Sequence, residues 1–246
     1  MARNYTVAGK DSVELRFHVS AATPELARFP VPSFKTHYAN TRCGPPVDVT
    51  IPLPFIPVSE AVRARGPVHL DGKLDEWKAA KPIALNYPSG FERDHYDPAD
   101  LSGECRAMWD EQHLYLAFDI TDNDHCQPYG GDIVWLADAI EFGIDHWAWG
   151  ISLTRSGPEV FSYIGEGLSA ETVNKDVQLA VRRDAGHTIY EAAIPARLNK
   201  PLVLQPGASF RFRVQVADRD NGDARHELSL TPSDVEAGGI KVVLTP

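Results

Sequence analysis

The sequence predicts an all-β protein, an antiparallel β-sandwich of the jelly-roll kind. Three observations predict this class. Ten short runs alternate apolar and polar residues, turn-forming residues separate these runs, and helical periodicity is almost absent. Many short strands divided by Gly, Asn and Asp turns are typical of sandwiches and barrels.

The N-terminal elements are the least regular. Val13–Val19 alternates apolar and polar residues and predicts a strand. The prolines that follow, as far as Pro57, predict extended or edge structure because proline cannot donate to a strand ladder. Val68–Asp71 predicts a short strand, and Leu74–Ala80 predicts one helical turn that carries Trp77.

From Glu104 the predicted strands follow one another at regular spacing. The alternation predicts which side of each strand is buried, because successive side chains point to opposite faces. In the run 209–216 the phenylalanines and valines form the core side, and Gln215 lies on the opposite face with two arginines. The ten predicted strands are Glu104–Trp109, His113–Thr121, Ala139–Asp145, Gly150–Thr154, Val160–Ile164, Val177–Arg182, Thr188–Ile194, Ser209–Ala217, His226–Leu230 and Ile240–Leu244.

Charge and proline content mark a boundary near residue 65 of the 246. Residues 1–65 carry eight basic and five acidic side chains and 8 of the 19 prolines, but none of the five tryptophans. The remainder is acidic: its net charge is −13, and that of the whole chain is −10. We therefore predict a Pro-rich extension, or the tail of a preceding domain, over 1–65 and one sandwich domain over 66–246.

Composition excludes several classes of protein. The net charge of −10 argues against a nucleic-acid binder, which needs a basic face. No run of 18 apolar residues is present to span a membrane. Three cysteines do not make a disulfide framework, which leaves free thiols or a single bridge between Cys105 and Cys126. The first ten residues lack the apolar core of a signal peptide, so the chain is either intracellular or a piece of an exported protein.

The loop 122–138 has the densest mixture of polar and aromatic side chains. It lies between two predicted strands, where binding sites of sandwiches are usually found. An exposed Trp135 beside carboxylates and amides would suit a sugar, whose apolar ring face packs on indole while its hydroxyls form hydrogen bonds. His125 and Gln127 are the other candidates, and the alternative is a hydrated loop in which Trp135 caps the core.

Two further patterns have a binding and a structural interpretation. Trp147 and Trp149 share one face of a strand, where they form either a stacking platform or half of a core layer. The segment 218–223 resembles a calcium loop, but its glycine is the fifth residue rather than the sixth, which favours an acidic hairpin turn. The nine histidines form no i, i+4 pair, so zinc is not indicated and no metal-ligand set is defined.

Five segments of the chain, in this order, resemble a family 9 carbohydrate-binding module over residues 66–246. Each segment is weakly specific alone, and their order makes the resemblance specific. The segments are LDGKLDEW (70–77), AMWDEQHLYL (107–116), WLADAIEFGID (135–145), YEAAIP (190–195) and FRFRVQVAD (210–218).

The resemblance implies a non-catalytic β-sandwich module that binds a polysaccharide or oligosaccharide. Such modules belong to secreted polysaccharide-degrading proteins, so we expect an extracellular or periplasmic location. Some members carry calcium, which is the candidate cofactor. The family's stacking Trp matches Trp135, and its polar partners match Glu141 and Gln215, with Asp138 at a further common position. A second family Trp lies in a C-terminal loop that has no aromatic residue here, so Trp149 is a candidate replacement.

Two other functions compete with carbohydrate binding. A related haem-binding sandwich uses Met with Lys or His as axial ligands, and Met108 would be that methionine. A glycoside hydrolase needs two carboxylates across a cleft, for which the acidic loops would be the source. The sequence leaves the sugar and the oligomeric state undefined.

Overall fold

The computed structural model describes residues 33–38, 47–52, 57–89, 96–164, 169–200, 202–220, 225–231 and 239–246. Within these ranges the protein is almost entirely β-structure, as the sequence predicts. The predicted strand Val13–Val19 lies outside the described residues. No helix in the described part of the chain is long and apolar enough to cross a membrane.

Fifteen strands are described, in two sheets. The first three are β1 (Ser33–Tyr38), β2 (Val47–Pro52) and β3 (Val58–Arg63), and the remainder are β4 (Ile83–Ala84), β5 (Tyr87–Ser89), β6 (Leu101–Trp109), β7 (His113–Asp122), β8 (Ala139–Ile144), β9 (Trp147–Thr154), β10 (Gly157–Ile164), β11 (Gln178–Asp184), β12 (His187–Pro195), β13 (Ser209–Asp218), β14 (His226–Ser229) and β15 (Ile240–Thr245). Within the described ranges, helical structure is limited to α1 (Ala170–Asp176) and the 3-10 helices Glu76–Ala79, Gly131–Leu136 and Ala196–Leu198.

Strands β1 and β2 pair only with each other among the described strands. The other thirteen form one sheet, in the order β10-β9-β8-β13-β15-β3-β6-β7-β12-β11, with β14 and β5 branching from β13 and β4 from β6. Pairing is antiparallel except where β3 lies between β15 and β6, to both of which it is parallel. The two end strands, β10 and β11, border a common groove, so the sheet is nearly closed into a barrel-like sandwich.

The core follows the alternation of the strands. All four apolar residues on one side of β7, Leu114, Leu116, Phe118 and Ile120, are buried in the main cluster. On the opposite side of β7, Tyr115 and Ala117 are buried as well, because Trp77 and its neighbours cover them in a second cluster. The segment between β3 and β4, here called the lid, therefore covers this part of the outer face of β7.

Glu191 anchors this lid. Its buried carboxylate accepts hydrogen bonds from the backbone N–H groups of Asp71 and Gly72 and, at 2.7 Å, from Trp77 Nε1. Since these N–H groups point at a carboxylate rather than at a neighbouring strand, Val68–Asp71 is irregular, and the short strand predicted there is wrong. The predicted helical turn at Trp77 is confirmed as the helix Glu76–Ala79.

The position of β3 bears on the predicted domain boundary. This strand precedes residue 65, yet it pairs on both edges within the main sheet, and its Ala61 is fully buried in the core. The described sandwich therefore starts at about Val58, seven residues before the charge and proline boundary. Cys105 and Cys126 are both free thiols here, which corresponds to the first of the two alternatives left open by the sequence.

Candidate functional site

A row of directly opposed residues crosses one face of the sheet. Gln215 on β13 lies opposite Glu141 on β8, and Glu141 lies opposite Gly150 on β9. Opposed residues of antiparallel strands project on the same face, with neighbouring strands about 4.8 Å apart. The structure therefore brings together Glu141 and Gln215, which are 74 positions apart in the sequence.

Trp135 lies on the 3-10 helix Gly131–Leu136, which leads into β8. Its side chain is 40% exposed, whereas the preceding Val134 is buried and fastens the helix to the body of the domain. The guanidinium carbon of Arg225 lies 6.0 Å from the centroid of the Trp135 ring, at the outer limit of a cation–π contact. An exposed indole thus stands at the edge of the polar row.

Arg225 joins the indole to the carboxylates. Its Nη2 donates to Glu141 at 3.0 Å, and its Nη1 forms an ion pair with Glu227. Burial raises the pKa of Glu141, and the charge of Arg225 partly opposes that shift. Sequence reasoning missed Arg225, and its place just before a predicted strand gives no hint of its partners, which depend on the register of β13 and β14.

Tyr163 forms the other side of the row. Its ring lies over Gly150, where any side-chain carbon would collide with it. Burial, followed by the charge of Glu141, raises the pKa of the Tyr163 hydroxyl. The Tyr163 ring is also 5.2 Å from that of Phe161. The absence of a side chain at Gly150 is the one sequence signal that a ring could lie there.

Trp149 does not belong to this face. It is fully buried, its ring stacks with Phe142 in the core, and its Nε1 donates to Asn199 Oδ1 at 2.9 Å. Trp147 is buried too and donates to the carbonyl of Lys200. The structure therefore contradicts Trp149 as a stacking residue, because the alternation shows that two residues share a face but not which face is buried.

Gln127 lies behind the 131–136 helix rather than on its surface. The side chain is 5% exposed, and its Nε2 donates to the carbonyls of Val134 and Asp138 at 2.9 and 2.8 Å. Its Oε1 accepts from the backbone of Tyr129. Gln127 has no free group for a ligand, but it holds the helix that presents Trp135.

Asp138 and His125 form a separate buried cluster. Asp138 accepts from the backbone N–H groups of Cys126 and Arg219, and His125 Nδ1 lies 3.3 Å from carboxylate oxygens of both Asp138 and Asp122. Burial opposes the charge on His125, but these carboxylates and the carbonyl of Leu153 outweigh it and raise the pKa to about 10. The imidazolium therefore neutralises buried carboxylates, away from the row at Glu141.

Beside this cluster lies a second group of carboxylates, those of Asp122, Asp218 and Asp220. Asp218 is 2% exposed, and neither of its oxygens has a hydrogen-bond partner among the described residues. Within the same described ranges, one oxygen each of Asp122 and Asp220 is also buried and unpartnered, and the three carboxylates approach within 4.8 Å of one another. Burial and the neighbouring Asp138 and Asp220 raise the pKa of Asp218 to about 8. Such a set of oxygens is the donor chemistry that a hard cation takes.

Met108 is unavailable as an axial ligand of haem. Its side chain is 3% exposed and packs in the second core cluster with Trp77 and Tyr115. The haem hypothesis loses the methionine on which it depended.

A comparison with family models finds a match over most of the chain. Residues 70–236 match the family model described as carbohydrate family 9 binding domain-like. A comparison with curated proteins finds no match.

Solved structures of the same kind share the fold. A family 9 carbohydrate-binding module from Caldicellulosiruptor kristjanssonii in complex with cellotriose is 12% identical with a TM-score of 0.59, covering 76% of this chain and 93% of that one. A structure of such a module from that organism with glucose is 13% identical with a TM-score of 0.57, covering 76% and 94%. A putative carbohydrate-binding protein from Bacteroides uniformis is 12% identical with a TM-score of 0.58, covering 77% and 100%. At these identities the likeness establishes the shared fold.

Proposed function

Since the chain belongs to the carbohydrate family 9 binding domain-like family, we propose that it binds an uncharged sugar chain, without catalysis, at Trp135, Glu141 and Gln215. The observation that carries this proposal is the exposed indole at the edge of a row that contains a carboxylate and an amide. The carbohydrate complexes of similarly folded modules support the choice of ligand.

The three side chains offer complementary chemistry to a sugar. The apolar face of a pyranose ring packs on the exposed Trp135 indole, which supplies a large apolar contact. The Glu141 carboxylate accepts from hydroxyl groups, and the Gln215 amide both accepts and donates. Hydrogen bonds to a charged group contribute about 1.5–3 kcal/mol each, so a few such contacts suffice for moderate affinity.

Arg225 is a positioning residue in this proposal. It pairs with Glu141 and Glu227 and lies near Trp135, so it fixes the distance between the carboxylate and the indole. Its charge is matched by two carboxylates, so Arg225 itself is not a free cation for an acidic sugar. With one guanidinium and two carboxylates, this group favours neutral sugars over uronic acids.

Titration calorimetry with glucose, xylose and their β-linked trisaccharides tests the proposal. Trp135→Ala should weaken binding at least about tenfold, or about 1.4 kcal/mol. Ile133→Ala is the matched control, since Ile133 lies on the same helix with 42% of its side chain exposed. Equal affinities of wild type and Trp135→Ala would place the site elsewhere, and absence of binding to all neutral sugars would refute the function.

We further propose that the protein acts outside the cytoplasm, extracellularly or in the periplasm, together with a polysaccharide-degrading enzyme. Polysaccharides do not enter cells intact, so a protein that binds a polysaccharide acts where the polymer is, which supports this location. Cell fractionation of the natural host tests it, and recovery of the protein in the cytoplasm alone would contradict it.

Calcium is the proposed cofactor, with Asp122, Asp218 and Asp220 as ligands. The unpartnered oxygens of these carboxylates fit a cation that takes oxygen donors and neutralises their charge. Bound calcium would hold the loop after β13 against the end of β7 and would take no part in sugar chemistry.

Thermal unfolding in calcium and in EDTA tests this cofactor. Calcium at about a hundred times its Kd should raise the Tm by about 5 °C or more. Asp218→Asn should abolish that rise, whereas Asp184→Asn, on an exposed hairpin, should retain it. An unchanged Tm in calcium, with no heat of binding in calorimetry, would contradict the proposal.

A further inference from the structure

A groove of about 520 Å³ lies between the two end strands of the main sheet. One wall is the edge of β10, including Glu159 and Phe161, and the other is Val177 and Leu179 at the start of β11. Gly131, the first residue of the helix that carries Trp135, lines one end. A volume of this size is typical of sites for small organic molecules.

The groove begins where the proposed sugar site ends. Phe161 lies opposite Gly150 in the β9–β10 register, and Gly150 lies opposite Glu141. Two strand spacings of about 4.8 Å place Phe161 roughly 10 Å from Glu141. Tyr163, whose ring covers Gly150, is 5.2 Å from the Phe161 ring and connects the two regions.

The groove offers the two surfaces that a sugar needs. Phe161 and Leu179 supply apolar and aromatic area for ring faces. Glu159 supplies acceptors, and its carboxylate is held in place by the N–H of Gly131 at 2.8 Å and by Thr154 Oγ1 at 2.9 Å. Each carboxylate oxygen keeps a lone pair for a hydroxyl after these bonds are made.

The edge of β10 adds main-chain partners. Among the described strands β10 pairs with β9 alone, so its other edge presents N–H and C=O groups to the groove. Hydroxyl groups, which both donate and accept, are suited to such an alternating row of donors and acceptors. A purely apolar ligand would leave these groups without partners.

We propose that this groove is a second sugar subsite, which takes a further unit of the same neutral oligosaccharide whose first unit stacks on Trp135. The inference rests on the proposed function, since it extends the ligand from the row at Glu141 across Tyr163 to Phe161. The second subsite gives the protein a preference for chains of several units over single sugars, because only a chain reaches both subsites.

Matched monosaccharide and trisaccharide pairs, glucose with cellotriose and xylose with xylotriose, test the inference by calorimetry. Wild type should bind at least one trisaccharide about tenfold or more tighter than its monosaccharide. Phe161→Ala should remove most of this difference and leave monosaccharide affinity within about twofold. Glu159→Gln, which keeps the size of the side chain, should have the same pattern in a milder form. Val203→Ala is the control, since Val203 is exposed and does not line the groove.

The outcomes separate this inference from the function it rests on. Equal affinity of wild type for monosaccharides and trisaccharides overturns the second subsite but leaves the Trp135 site standing. The second subsite is also overturned if Phe161→Ala and Glu159→Gln both weaken the binding of the monosaccharide and of the trisaccharide by the same factor. Absence of binding to every sugar removes both proposals together.

Discussion

At the scale of single residues, Glu141 makes the proposed sugar site sensitive to pH. Burial raises its pKa above that of an exposed glutamate, and Arg225 only partly opposes this. Above that pKa the carboxylate is charged, accepts from hydroxyls and pairs with Arg225. Below it the group is neutral, and both interactions weaken.

We therefore predict that sugar affinity falls as the pH is lowered, and that the fall begins above the ordinary glutamate value of 4.5. Calorimetry between pH 4 and pH 8 measures this dependence. Glu141→Gln should bind more weakly at neutral pH and should show a flatter profile over the same range. A wild-type profile with the same slope as Glu141→Gln would show that another group controls the pH dependence.

Individual site residues could be predicted from the sequence where they stand in ordered motifs or in alternating strands. Trp135, Glu141 and Gln215 were predicted in this way, and the structure places the last two side by side. Arg225 and Tyr163 could not be predicted, because their neighbours are set by strand register rather than by sequence distance. Trp149 was wrongly predicted as a stacking residue because both faces of β9 carry residues that can be buried in a core, so alternation alone does not identify the buried face.

At the scale of elements, the strands predicted from strong alternation are confirmed within a few residues, as in β7 and β13. Among the elements that the sequence did not predict, two were missed for different reasons. Strand β3 buries only Ala61 deeply and shows no apolar alternation, since its pairing partners rather than its side chains define it. Helix α1 has seven residues, too few for periodicity, although Ser169 caps it by accepting from Thr172 N–H.

The 3-10 helix Gly131–Leu136 is the element on which the proposed sugar site depends, and Gln127 holds it. We predict that Gln127→Ala lowers the free energy of unfolding by about 2–4 kcal/mol, because the buried carbonyls of Val134 and Asp138 each lose one of their donors and the N–H of Tyr129 loses its acceptor. Sugar affinity should fall about threefold to tenfold although Gln127 is buried away from the ligand. Urea denaturation and calorimetry measure the two effects.

Two comparisons show whether Gln127 acts through Trp135. Gln112→Ala, in an exposed turn, should change neither stability nor affinity. In the Trp135→Ala background, Gln127→Ala should cause little further loss of affinity, since the indole that it positions is gone. Additive losses in the double variant would mean that Gln127 affects binding by another route.

At the scale of the whole molecule, a strand from the N-terminal part of the chain connects the two halves of the main sheet. The backbone N–H of Ala64 donates to the carbonyl of Trp109, and Lys241 N–H donates to the carbonyl of Pro57. Strand β3 thus lies between β15, the last strand of the chain, and β6, and it pairs with both. Composition located the change in charge and proline content near residue 65, but composition does not register backbone pairing, so β3 was assigned to the extension.

The pairing of β3 with β15 and β6 leads to a prediction about truncation. Removal of residues 1–56 keeps Pro57 and β3, so it should leave the Tm of the domain within about 3 °C of the full chain. Removal of residues 1–65 deletes β3, which leaves the facing edges of β15 and β6 unpaired and opens the core position filled by Ala61. That variant should lose about 10 °C or more in Tm, and its exposed edges should promote self-association. Circular dichroism melts and light scattering measure both properties, and a 66–246 chain as stable and monomeric as 57–246 would show that β3 is dispensable for the fold.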